Sequence, residues 1–136
     1  MGAGGGFSPY YDSKSNYHED YALCFNFKLG YAFNESLILS LDNYSSILRN
    51  KDLDSWAWEN GSGSFTLTYY LKPVTNSLYG QFGLLGLNQK GDYSKRILVG
   101  AGYEFMKHFD ISVAYRRTIK NNDMSELRVV VSALAY

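Results

Sequence analysis

The chain has 136 residues with 13 basic and 13 acidic side chains, so its formal charge is zero. A zero balance with no basic run interleaved with aromatics gives no sign of an electrostatic partner, so no nucleic acid is expected, and the length fits one domain spanning residues 1–136. One cysteine excludes an internal disulfide framework, 13 tyrosines within 17% aromatic residues point to strands, and no apolar run reaches the roughly 18 residues a membrane helix needs.

The opening MGAGGGFSPYY lacks the basic start and apolar middle of a secretory signal. If the native product is exported, Met1 stands where a signal peptide is removed. Period-2 alternation then marks eight segments in chain order. A Gly-rich strand covers residues 2–11. In the second, 21–33, the odd positions Tyr21, Leu23, Phe25, Phe27, Leu29, Tyr31 and Phe33 are large and apolar, and Ala22, Cys24, Asn26, Lys28, Gly30 and Ala32 lie between them. The third, 37–44, sets Leu37, Leu39 and Leu41 on one face, and the fourth, 65–71, alternates Phe65, Leu67, Tyr69 and Leu71 with Thr66, Thr68 and Tyr70. The fifth, 78–87, is less regular. The sixth and seventh, 97–105 and 109–118, place Ile97, Val99, Tyr103, Ile111, Val113 and Tyr115 against Gly100, Gly102, Glu104, Ser112, Ala114 and Arg116. The last is 127–136.

The links alternate between tight turns (34–36, 72–77, 106–108) and longer polar stretches (13–20, 45–64, 88–95, 120–126). An up-and-down meander follows, with its long loops at one end and both termini at the other. Alternation alone leaves open which face is inside, because a soluble ligand carrier and a membrane barrel invert one another. The residues between the large ones decide it. They are mostly Ala, Cys, Gly and Ser, which suit a narrow lumen better than a water-exposed surface. Aromatics also cluster at both strand ends: Tyr31, Phe33, Tyr69, Tyr103, Phe105 and Phe109 at the turns, Tyr21, Tyr115, Trp56 and Trp58 toward the long links. Such belts match the two interfaces of a bilayer. The expected fold is therefore all-β, an eight-stranded antiparallel up-and-down transmembrane barrel.

The Gly-rich opening GAGGGFSPYY, the strand-turn-strand segment LVGAGYEFMKHFDISVAYRR and the carboxy-terminal VVVSALAY resemble the small eight-stranded outer-membrane barrels of Gram-negative bacteria, the OmpA-like, OmpX-like and opacity-type families. The resemblance runs the length of the chain and rests on residue-type patterns. It implies a bacterial outer-membrane location, the lipid bilayer as surroundings, the barrel-assembly machinery as a partner during biogenesis, and a monomer. Tyr136 and Leu134, with Val130, resemble the carboxy-terminal assembly signal, from whose apolar rhythm Ser132 and Arg128 depart.

With the odd faces on lipid, the lumen receives Lys28, Asp42, Glu104, Arg116 and Gln81, a balanced set of charges expected to pair and fill it. Lys28 is expected to pair with Asp42 or Glu104, and its replacement by Met to destabilise the barrel. Catalysis of the Ser-His type needs neighbours that this chain's two histidines, His18 in a long link and His108 in a tight turn, do not offer together. With Cys24 they are too dispersed for a metal site, so neither metal nor cofactor is expected and the chain reads as non-enzymatic. Trp56, Trp58 and Arg49 are candidates for binding an unknown surface ligand, with the alternative that the tryptophans extend a strand into the outer aromatic belt. The function expected is membrane integrity or surface binding and adhesion, the alternatives being a small pore or a soluble ligand-carrying barrel.

Overall fold

The computed structural model describes residues 1–13, 22–50, 55–72, 76–88, 96–118 and 124–135. The strands are β1 (Gly2–Ser13), β2 (Ala22–Ala32), β3 (Leu37–Asn50), β4 (Ser55–Tyr70), β5 (Ser77–Asn88), β6 (Arg96–Phe105), β7 (Phe109–Thr118) and β8 (Met124–Leu134). Each pairs antiparallel with its sequence neighbour, and β1 closes on β8. Lengths of 10 to 16 residues cover the roughly 9 to 11 that a tilted strand uses to cross hydrocarbon.

Local chemistry punctuates the meander. Asn34 ends β2 by accepting hydrogen bonds on its side-chain oxygen from the amides of Ser36 (2.9 Å) and Leu37 (2.8 Å), the turn-forming use of Asn. Between β6 and β7, Met106 and Lys107 adopt φ of 55° and 65°. The Met106 amide donates to Asn76 Oδ1 at 3.3 Å, tying that turn to the start of β5. Pro9, which has no amide to give a ladder, falls at the register shift between Phe7 and Tyr10.

Side chains sort by face. Phe25, Phe27, Leu41, Leu67, Phe82, Val99, Val113 and Val131 are exposed on the outside, while Ser40, Asp42, Thr66, Thr68, Glu104 and Arg116 are buried within. An apolar exterior around a polar interior is the inverse of a soluble barrel and matches hydrocarbon surroundings. Tyr31, Phe33, Tyr69 and Phe109 stand exposed near the tight turns. Among them Tyr31 and Phe33 meet edge to face at 5.4 Å, and Phe105 stacks on Phe109 at 6.0 Å. At the other end, Tyr115 donates from its hydroxyl to Ser125 Oγ at 3.2 Å.

Two glycines are set by close approach. A Cβ on Gly6 would overlap the Val129 carbonyl, so a larger residue there would push β1 off β8; one on Gly102 would collide with the ring of Tyr79, its register partner on the adjacent strand, which lies over it.

Two link assignments change, at 45–64 and at Glu126, and the structure sets the facing of β5 and β8, which alternation leaves open. The long link at 45–64 contracts to residues 51–54, because β3 and β4 continue as a paired ribbon through Ile47↔Trp58 and Arg49↔Trp56 to Asn50↔Ser55. Gly and Ser in that stretch read as loop, but a register shift between Tyr44 and Ser46 absorbs them within the strands. In β5 the outward parity is even (Leu78, Phe82, Leu84) and Tyr79 and Gln81 turn inward. In β8 the even residues Glu126, Arg128, Val130 and Ser132 are buried, so Val130 faces the lumen and not lipid. Glu126, assigned to a link by sequence, belongs to the strand.

Replacing Val113, near the middle of the outer face of β7, with Lys is expected to cost about 2–4 kcal/mol, measured by urea unfolding in lipid vesicles. The same substitution at Tyr115, nearer the interface, should cost less.

Candidate functional site

The chemistry of the lumen centres on one carboxylate held between two guanidiniums. Arg116 and Glu126 are direct partners across the β7–β8 ladder, and Arg128 lies two residues along β8 on the same face. Arg116 Nη2 donates to Glu126 Oε2 at 2.6 Å, and Arg128 Nε lies 2.7 Å from Glu126 Oε1. Glu126 is fully buried and Arg128 is 1% exposed. On the far wall, Arg128 Nη2 donates to Ser46 Oγ on β3 at 2.8 Å, and its guanidinium carbon sits 4.9 Å from the centre of the Tyr44 ring. Tyr44 in turn donates its hydroxyl to Asp42 Oδ2 at 3.3 Å, and Cys24 on β2 approaches Glu126 Oε1 at 3.6 Å. The network thus joins β2, β3, β7 and β8 across the barrel. Charges taken this far from water persist only when paired and hydrogen-bonded.

A second cluster lies toward the turns. Glu104 and Asp110 are opposed across the β6–β7 ladder, both buried. Like charges so placed repel, and the Tyr79 hydroxyl donates to Asp110 Oδ2. Gln81 is buried opposite Gly100.

Of the residues named from sequence, Asp42, Glu104, Arg116 and Gln81 are buried on the inner face. Lys28 is the Cα partner of Asp42, yet among the described residues it makes no ion pair with Asp42 or Glu104. It borders a cavity near the turn end together with Thr68, Asp110 and Leu134. The expected pairing therefore gives way to another: Asp42 takes its hydrogen bond from Tyr44, and the buried ion pairs form on Glu126. Sequence reading missed Glu126, Arg128 and Asp110. The signal was available in β8, where two charges two residues apart share a parity with Ser132 and oppose the valines at 129 and 131. Arg49, Trp56 and Trp58 have their backbones in the β3–β4 ribbon, but their side chains lie outside the described residues. Tyr136 and His18 are also outside. Leu134, the other half of the expected assembly signal, lines the lumen cavity. The ring of His108 has Nδ1 3.3 Å from the Leu134 carbonyl oxygen. Among the described residues, no group of three or more His, Cys, Asp or Glu is placed to hold a metal.

No family model matches the chain, and no curated protein matches it. Solved structures do. The outer membrane enzyme PagL superposes with a TM-score of 0.66 at 8% identity, covering 96% of this chain and 97% of that one. The N-terminal β-barrel domain of Pseudomonas aeruginosa OprF gives 0.50 at 14% identity, covering 96% of both. A designed transmembrane β-barrel gives 0.49 at 12% identity. The protein has the fold of the small outer-membrane β-barrels, an eight-stranded closed antiparallel barrel.

Removing the shared carboxylate while leaving two buried cations is the costly change. Glu126→Gln is expected to lose about 3–5 kcal/mol in equilibrium unfolding. Lys28→Met, which breaks no ion pair, should lose under about 1 kcal/mol, contrary to the expectation from sequence.

Proposed function

We propose that this chain is a monomeric, non-enzymatic barrel of the bacterial outer membrane, with a lumen closed by its own side chains, acting in membrane integrity or through surface binding by its long links. The observation that carries this reading is the Arg116–Glu126–Arg128 network anchored on Ser46 and Tyr44, because it ties opposite walls together where a pore would need open space. Eight strands enclose little more than their own side chains. The apolar exterior supports the lipid surroundings, and the barrel-assembly machinery is the expected agent of insertion.

Against catalysis, His108 makes its contact with a backbone carbonyl, and among the described residues no serine hydroxyl or carboxylate bonds to it. PagL is an outer membrane enzyme, and at 8% identity that likeness is one of fold.

Single-channel recording in planar bilayers tests the closed lumen. The expected result is conductance at baseline for the wild type; a stable, reproducible open level would make the chain a small pore instead. Cell fractionation should recover the native protein with the outer membrane as a compact, detergent-resistant species whose gel mobility shifts on boiling.

A further inference from the structure

Toward the tight-turn end, below the ion-pair network, the lumen holds a cavity of about 70 Å³. That is room for a few waters or for one molecule of a few heavy atoms. Its polar lining comes from three strands. Lys28 on β2 makes no hydrogen bond or ion pair among the described residues. Thr68 on β4 is 2% exposed and Asp110 on β7 4%. Both have an oxygen, Thr68 Oγ1 and Asp110 Oδ1, without a hydrogen-bond partner among the described residues. The remaining wall includes Tyr70 on β4 and an apolar stretch from Ala32, Ile38 and Leu134.

Buried polar atoms without partners are uncommon, and each is destabilising unless something occupies the space beside it. Water meets the polar corners but gains little against the apolar wall, so a solute that matches the corners and fills the rest displaces it favourably. The lining specifies that solute. An ammonium group suits Asp110 Oδ1 and Thr68 Oγ1, a carboxylate suits the Lys28 ammonium, and a short apolar body suits Ala32, Ile38 and Leu134. A ligand with one charge alone leaves Lys28 or Asp110 unmatched.

We propose that this cavity is a binding site for a compact zwitterion, an ammonium and a carboxylate on a short apolar body, entering from the tight-turn mouth of the barrel. The site is separate from the Arg116–Glu126–Arg128 network and does not depend on the surface role proposed above.

The test is titration of the folded, detergent-solubilised barrel by calorimetry and amide chemical shifts, with glycine and alanine as probes and with acetate and methylammonium as single-charge halves at matched ionic strength. The expected result is saturable, millimolar binding of the zwitterions, about tenfold or more tighter than either half, with shifts confined to the amides of Lys28, Gly30, Thr68 and Asp110. Lys28→Met and Asp110→Asn should each weaken it about tenfold, the loss of one charge contact. Should Asp110→Asn misfold through loss of its Tyr79 bond, judged by the heat-dependent gel shift, Lys28→Met decides, since Lys28 belongs to neither hydrogen-bonded cluster. No zwitterion binding to the wild type, equal binding of the halves, or unchanged binding in Lys28→Met would overturn the proposal.

Discussion

Everything in this molecule depends on the closure of β1 onto β8. Hydrocarbon offers no hydrogen bonds, so a strand edge left open there would strand a row of amides and carbonyls at several kcal/mol each. The ladder from Gly2↔Leu134 to Ser13↔Met124 removes that edge. The Gly-rich start of β1 belongs to this requirement, since at Gly6 any Cβ would overlap the Val129 carbonyl. At the turn end the Ala135 amide donates to the Met1 carbonyl at 2.7 Å, extending the seam past the last strand residue.

Closure with so few strands leaves an interior too narrow for bulk water and too polar for an apolar core. The chain resolves this by layering. Toward the long links, Glu126 neutralises two arginines whose remaining contacts reach Ser46 and the Tyr44 ring, so charge is balanced within a cluster that spans the lumen. Toward the turns, Tyr79 lies over Gly102 and bonds Asp110, and a small cavity remains beside Lys28. Buried ion pairs add little net stability compared with apolar packing, but they are costly to break singly. In a barrel whose outer face must be apolar, they make the two faces of each strand chemically distinct, so a one-residue slip of register would put charge into lipid.

That distinctness is why much of the fold was legible. Alternation over β2, β6 and β7 gave the strands within a residue or so of their ends, and the small residues between the large ones gave the direction of each face. The inward placement of Asp42, Glu104 and Arg116 followed from parity alone. Parity failed where the ladder carries a bulge or where both faces are mixed: the β3–β4 ribbon reads as a Gly/Ser loop, and β8 places Val130 among the charges.

The sequence by itself determined strand number, the up-and-down order and the inverted polarity of the two faces, because period-2 patterning is a local property that each strand carries alone. Only the tertiary structure decided who pairs with whom inside. Lys28 sits opposite Asp42 on adjacent strands, yet Asp42 bonds Tyr44 and Lys28 faces the cavity with Asp110, a residue far along the chain. Partners across a lumen are chosen by barrel stagger and side-chain reach, which combine the registers of all eight strands and are written in no single one of them.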